Sequence, residues 1–410
     1  MAGATHTFSR GFSSNEDFDF DIRTVLGAAY SGAADVGEVL AAVDDVKPND
    51  ARAWFEAWVR LGERVDGIAD ACAQRQHTTS AAEARLRAST YYGVAVNAAS
   101  GLDSTDELTD VFHKHRKAWD AFVDSTGRAD VERVSIPYEQ TTLPGYVFRP
   151  RGASGPLPIL IGTNGSDGSL SSMWAACAFG ALQRGYAVLL YDGPGQQSML
   201  FDRGTTFRPD WEAVLTPVLD FALGLEGIDA GRAAAYGISQ AGYWVTRALA
   251  FEHRFAAAVV DPGVVDVSTS WTSHLPKSLM ELLDKGDDAK FDRDMDFGLK
   301  FRKDAAGQWA FRARPYGHLG YAQTLAEVRT YAVTADLATQ IATPMLITSP
   351  EREQFWPGQA EKLAELTEPV STLVPFTAAE GADFHCQPLA RSLTDQRMFD
   401  WLDEKLEVRS

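Results

Sequence analysis

Between Arg232 and Phe251 the chain reads as a short apolar run, a tight turn and a helical pattern, and the turn is Gly237-Ile238-Ser239-Gln240-Ala241-Gly242. No other stretch constrains the fold as much. A strand that turns straight into a helix brings the two backbones nearly into contact, so the residues two positions either side of the apex must be small. Gly237 and Ala241 meet that demand around Ser239, although glycine is the commoner residue at the second place. The turn also forces its apex residue into a strained backbone conformation, the setting of a nucleophilic serine. The bland alternative is an ordinary strand-to-helix turn with a serine cap, and short motifs have real false positives. The rest of the chain has to choose between the two.

Its organisation favours the first. Residues 1 to about 20 are rich in Ser, Phe and Asp and read as irregular; residues 20–125 read as helical. Asp50 can cap a helix whose apolar stripe is Trp54, Trp58, Leu61, Val65, Ile68 and Cys72, at steps of three and four. Ser80-Ala81-Ala82-Glu83 has the form of a capping box opening the next helix. A third stripe runs Leu108, Phe112, His115, Trp119, Phe122. At Val131 the period changes. Residues 131–150 read as a hairpin or two adjacent strands around the turn Thr142-Leu143-Pro144-Gly145, and strands and helices then alternate: strand 157–161, helix 171–184, strand 186–191, helix 211–223, the serine turn, and strand 256–260. Such alternation predicts a mostly parallel sheet with helices on both faces. It pauses over residues 268–340, with helical patches at 275–283 and 322–332, and resumes with strand 344–348, helix 357–366, strand 371–376 and helix 388–406. The expected division is an N-terminal helical domain, 1–130, and a catalytic domain, 131–410, carrying residues 268–340 as an inserted cap segment.

In open parallel sheets, catalytic groups lie at the carboxyl ends of strands. Ser239 is at one such end. The strand 344–348 leads into Glu351-Arg352-Glu353, and the strand 371–376 into Asp383-Phe384-His385-Cys386. Serine, acid, histidine is the chain order of one serine-hydrolase fold and differs from that of the others. His385 would take the serine proton and pass it to the leaving group, with a carboxylate holding the imidazole tautomer. Glu353 is the favoured acid, three residues past Pro350, and Glu351 is the alternative. The bland reading of His385 is a loop residue capping the next helix. His113 and His115 face different sides of a helix, which argues against a metal pair, and His115 on an apolar stripe reads as a packed residue. An oxyanion hole would draw on the Gln240 N–H and on the loop Gly162–Gly168, with Gly165 and Ser166 as the candidate donors. No GxxxxGK[ST] motif occurs to make that loop a phosphate cradle. Asp192-Gly193-Pro194-Gly195-Gln196 reads as structural support for the site.

Composition narrows the partners. A formal net charge of −18 disfavours nucleic acid and anionic membranes. The 3 cysteines form no CxxC pair, which fits a reducing compartment. With no signal-like N-terminus and no apolar run of about 18 residues, the expectation is a soluble cytoplasmic protein.

Across its whole length the chain resembles the α/β-hydrolases with an N-terminal helical cap, a family that includes 2,6-dihydroxypseudooxynicotine hydrolase and the fungal hydrolases that shorten polyketide naphthopyrones. The resemblance is carried by residues 80–92 (SAAEARLRASTYY), 136–150 (IPYEQTTLPGYVFRP), 164–167 (NGSD), 192–196 (DGPGQ), 354–359 (QFWPGQ) and 380–386. It implies an α/β-hydrolase fold, a Ser-acid-His triad, neither metal nor organic cofactor, and a dimer. It also implies a small aromatic or polyketide-like substrate cleaved at a carbon–carbon bond beside a carbonyl. Ser239 and His385 fall on the family's positions; at the acid position Glu353 replaces the usual aspartate. Acyl transfer by the same acyl-enzyme, and a non-catalytic binding module on the same fold, are the competing readings.

Overall fold

Helices that alternate with parallel strands cover both faces of the sheet, so the central strands must be apolar on both sides. The computed structural model describes residues 11–102, 105–317 and 319–408. It places eight strands in one sheet: β1 (Ala129–Tyr138), β2 (Thr141–Pro150), β3 (Leu157–Thr163), β4 (Ala187–Tyr191), β5 (Ile228–Ile238), β6 (Ala257–Asp261), β7 (Met345–Pro350) and β8 (Ser371–Phe376). The spatial order is β1-β2-β4-β3-β5-β6-β7-β8. β1 and β2 form an antiparallel hairpin, β2 runs antiparallel to β4, and every neighbouring pair from β4 to β8 is parallel. Because successive side chains alternate, Leu160, Val188, Leu190, Ala234, Tyr236 and Val259 enter one core. Ile159, Ile161, Leu189, Ala235 and Val260 enter the other.

The first core continues into five N-terminal helices: α1 (Glu16–Ala28), α2 (Val36–Val43), α3 (Ala51–Gln74), α4 (Thr78–Ser100) and α5 (Thr105–Ser125). α3 buries Trp54, Trp58, Leu61 and Val65 as its stripe requires, and Asp50 caps it by accepting the Ala53 N–H. One turn later the stripe departs from the sequence reading. Ala69 is buried and Ile68 is 40% exposed, because the four-residue step from Val65 stays on the inner face. α4 is buried nearly all round and forms the centre of this layer. It begins at Thr78, two residues after Gln76 reverses the chain with φ 61. Ser80–Glu83 is therefore helix interior and not a capping box, and the Glu83 carboxylate pairs with Arg128. Residues 16–20, read as irregular, are the start of α1. Asn15 caps that helix by accepting the Asp17 and Phe18 N–H groups, and Phe18 stacks on Trp54 at 4.1 Å. Residues 1–10 of that expectation lie outside the described residues. His115 is fully buried; its Nδ1 bonds the Ser89 carbonyl at 2.8 Å, and burial pushes its pKa down to about 4, keeping it neutral.

The helical layer is fixed to the sheet. Trp119 meets Tyr146 and Phe148 at 5.7 and 6.1 Å, the Tyr146 hydroxyl donates to Asp120 at 2.6 Å, and Arg116 pairs with the buried Asp192. The opposite core is closed by α6 (Glu212–Leu223), α7 (Ala241–Leu249) and the segment after β6. That segment is more helical than its charged sequence reveals. Besides Lys277–Asp284 and Tyr321–Val328 it contains Asp288–Leu299 and α8 (Lys303–Ala313). Its helices reach the N-terminal layer: Gln308 donates to Asp17, Arg314 donates to the Ser100 carbonyl, and a Cβ on Gly307 would lie 2.8 Å from the Gly101 oxygen. The chain closes with α9 (Arg391–Lys405). Among the described residues no helix is long and apolar enough to cross a membrane.

Candidate active site

β5 ends at Ile238 and α7 starts at Ala241, so two residues make the turn. Ser239 at its apex has φ 57, a left-handed conformation costly for a residue with a Cβ. Its N–H donates to the Asp261 carbonyl at the end of β6, 2.6 Å away, which ties the apex to the neighbouring strand. The crowding expected around the turn is present. A Cβ on Gly237 would sit 2.5 Å from the Ala241 oxygen, and one on Gly242 would sit 2.0 Å from the Pro262 oxygen. The helix crosses the next strand's exit at Gly242, which is where the second glycine is needed; Ala241 is accommodated, fully buried.

The three strand-end groups converge. His385 Nε2 is 2.9 Å from Ser239 Oγ, and His385 Nδ1 is 2.8 Å from both carboxylate oxygens of Glu353. The side chains of His385 and Glu353 are 3% and 6% exposed. The loop after β7 is shaped by its own acid: Glu353 Oε1 accepts the N–H groups of Phe355 and Trp356 at 2.9 and 3.2 Å. Glu351, by contrast, is exposed and accepts the Ala378 N–H at 2.8 Å. The histidine loop is held from two sides. Gln354 Oε1 accepts the His385 N–H at 3.0 Å, and Arg391 of α9 donates to the Cys386 carbonyl at 2.8 Å and to Asp261 Oδ2 at 3.3 Å. Phe355 packs edge-on against the imidazole at 4.7 Å, and Trp356 lies 5.6 Å from it.

The loop after β3 lies against the serine. A Cβ on Gly165 would approach the Ser239 Cβ to 2.9 Å. Of the two donors named from the sequence, the Gly165 N–H is taken by Asn164 Oδ1 at 2.8 Å. The N–H groups of Ser166 and Gln240 have no acceptor among the described residues. Gln196, read from the sequence only as part of a supporting turn, clamps this loop. Its amide donates to the Asn164 and Gly165 carbonyls at 2.6 and 3.0 Å, while its oxygen accepts the Gly193 N–H at 3.0 Å. Gln196→Glu replaces a donor with an acceptor that repels both carbonyls. It is expected to lower kcat about tenfold or more with KM little changed, up to the roughly 10²- to 10³-fold that outright loss of one oxyanion donor costs. Steady-state kinetics on an aryl ester check this, and an unchanged kcat would remove Gln196 from the positioning of the loop.

The roles of Gln196, Gln354, Asp261 and Arg391 escape sequence reasoning because each is set by contacts made across the fold. Strand-end placement marks Gln196, Gln354 and Asp261 but not what each of them bonds. Among the described residues no group of three or more His, Cys, Asp or Glu side chains is arranged to hold a metal ion.

No family profile matches the chain. It is 30% identical to the α/β-hydrolase xenA of Xenoacremonium sinensis, over 98% of this chain and 99% of that protein. It is 29% identical to the hydrolase acrC of Aspergillus aculeatus, over 97% and 98%. It is 33% identical to the α/β-hydrolase pydG of Acremonium sp., over 68% of each. The solved structure of 2,6-dihydroxy-pseudo-oxynicotine hydrolase superposes with a TM-score of 0.71 at 20% identity, covering 93% of this chain and 95% of that one. At that identity the likeness is one of fold.

Proposed function

The chain belongs to the α/β-hydrolase family, and from that premise we propose that it is a serine hydrolase in which Ser239, His385 and Glu353 form the catalytic triad. The observation that carries this reading is the unbroken Glu353–His385–Ser239 hydrogen-bond chain, set on a serine in the left-handed conformation. Ser239 Oγ attacks the substrate carbonyl as its proton passes to His385 Nε2. Glu353 fixes the proton of Nδ1 and stabilises the imidazolium. The Gln240 and Ser166 N–H groups are the donors available to the oxyanion. The bond to the leaving group then breaks, and His385 returns the proton to it. Water, deprotonated by His385, attacks the acyl carbon, the bond to Ser239 Oγ breaks as His385 returns the proton to that oxygen, and a carboxylic acid is released.

The substrate proposed is a small aromatic or polyketide-like ketone or ester. The N-terminal helices and the segment after β6 meet through Asp17–Gln308 and Ser100–Arg314, and Phe20 of the N-terminal helices lies 5.7 Å from Phe355 beside the imidazole; a roof of this kind favours a compact molecule over a polymer. A hydrolase named for 2,6-dihydroxy-pseudo-oxynicotine shares the fold along nearly the whole chain, which supports a small-molecule substrate. A carbon leaving group must be protonated as it departs, and His385 is positioned to do so. The test compares kcat/KM for an acyl-phloroglucinol ketone, a compact aryl ester and a peptide amide. The ketone and ester are expected to exceed the amide clearly. Preference for the amide would overturn the proposal, and preference for the ester over the ketone would keep the triad chemistry and discard carbon–carbon cleavage.

A further inference from the structure

The loop that carries His385 is bent against its own preference. Cys386 and Gln387, the two residues after the histidine, have φ 57 and 44, the left-handed region that residues with a Cβ avoid. Such strain persists only where the surroundings hold it. Gln354, in the loop after β7, and Arg391 of α9 supply part of that hold. The rest comes from the N-terminal helical layer.

α1 lays one face along this loop: Phe20, Arg23 and Gly27, at helical steps of three and four. The Phe20 ring lies 6.1 Å from that of His385. The Arg23 guanidinium lies over the Phe384 ring, 4.6 Å from its centroid. Gly27 meets Pro388 so closely that a Cβ would lie 1.6 Å from the Pro388 oxygen. Glycine is a poor helix former, and the close approach to Pro388 accounts for its place here. Arg23 is itself fixed. Its side chain is buried, and its Nε donates to Asp19, one turn back, at 2.6 Å. Asp19 also accepts the Phe12 N–H at 2.5 Å, and the Phe12 ring lies 5.5 Å from the guanidinium. Arg352, between Glu351 and Glu353, lies over the same Phe384 ring at 4.8 Å. It pairs through Nε with the buried Asp383 and donates its N–H to the Asp383 carbonyl at 2.8 Å. Phe384, the residue before His385, is thus gripped by α1 and by the loop that carries Glu353. A cation over a ring counts for more when the pair is withdrawn from water.

We propose that Arg23 and Gly27 are positioning residues of the triad: through Phe384 and Pro388, α1 holds the histidine loop so that the imidazole stays between Glu353 and Ser239. The proposal rests on the serine-hydrolase reading and deepens it, because it makes the N-terminal layer part of the catalytic apparatus as well as a roof. Both residues act through His385. Their effect therefore falls on the chemical step and not on substrate affinity.

Variants of the full chain test the assignment. Arg23→Met keeps a long side chain and removes its charge, and Phe384→Leu removes the ring but keeps an apolar group. Each is expected to lower kcat on an aryl ester about tenfold with KM within about twofold, inside the roughly 10²-fold that a misplacement of about 1 Å costs. Labelling by a fluorophosphonate, in which Ser239 Oγ displaces fluoride from phosphorus as His385 takes the proton, is expected to slow by the same factor. The rate is taken per labelled site, so a less stable variant still reports. The double variant is expected to be no slower than the slower single one, because the two groups act through one contact. Arg23→Lys, which keeps a cation over the ring, is expected to recover most of the rate. Gly27→Ala improves helix propensity, yet it is expected to slow labelling because the added methyl pushes α1 off Pro388. Unchanged kcat and labelling in either Arg23→Met or Gly27→Ala, additive losses in the double variant, or a loss confined to KM overturns the proposal and leaves the triad intact. No labelling of the wild type, or equal labelling of Ser239→Ala, ends the serine-hydrolase reading and this one with it.

Discussion

Ser239→Ala is expected to yield a folded protein whose turnover of any acyl substrate falls by up to about 10⁶-fold, the scale seen when a triad nucleophile is removed and only binding and the oxyanion hole remain. The fold should survive. Among the described residues the serine hydroxyl bonds His385 alone, while the structural bond of this residue is its backbone N–H to the Asp261 carbonyl. Alanine keeps that bond and occupies the same left-handed conformation with a Cβ of the same kind. Thermal unfolding by circular dichroism, aryl ester turnover and labelling by a fluorophosphonate check the three parts separately. Near-wild-type turnover in a folded, unlabelled variant would end the reading of Ser239 as the nucleophile.

Glu353→Gln should cost roughly 10²- to 10⁴-fold in kcat, by analogy with the loss of an aspartate that sets a histidine's tautomer. The amide keeps one oxygen, which can continue to accept from Phe355 and Trp356, so the loop should hold. Its nitrogen then faces His385 Nδ1 as a donor. That places the imidazole proton on Nε2, pointing at Ser239 Oγ, where a base is required. Glu351→Gln should remain within about twofold of wild type, as expected for an exposed group away from special features, because Glu351 caps the Ala378 N–H and stays clear of the imidazole. Parallel kinetics on the two variants decide the matter. The opposite ranking would transfer the role to Glu351 and contradict the 2.8 Å contacts at Glu353.

What the sequence determined by itself was set by local rules. Small residues around Ser239 specify the tight strand-to-helix turn, and the apolar runs of the later strands specify a two-sided sheet. Chain order then names serine, acid and histidine at three strand ends, because a parallel sheet delivers all its carboxyl ends to one edge. Where the reading slipped, a local rule met a non-local one. The capping-box pattern at Ser80 was overruled by a reversal at Gln76, and Ile68 yielded its inward place to Ala69. The Ser-, Phe- and Asp-rich start of α1 became helix because Phe18 found Trp54 to stack on. The choice between Glu353 and Glu351, only two residues apart, depended on which carboxylate the loop turns toward the imidazole. The roles of Gln196 and Arg391 are further still from the sequence, since each is defined by a partner tens to more than a hundred residues away. Spacing along a chain fixes which side chains share a helix face or strand end, but only the packing of whole layers decides which faces meet and which carboxylate reaches the imidazole.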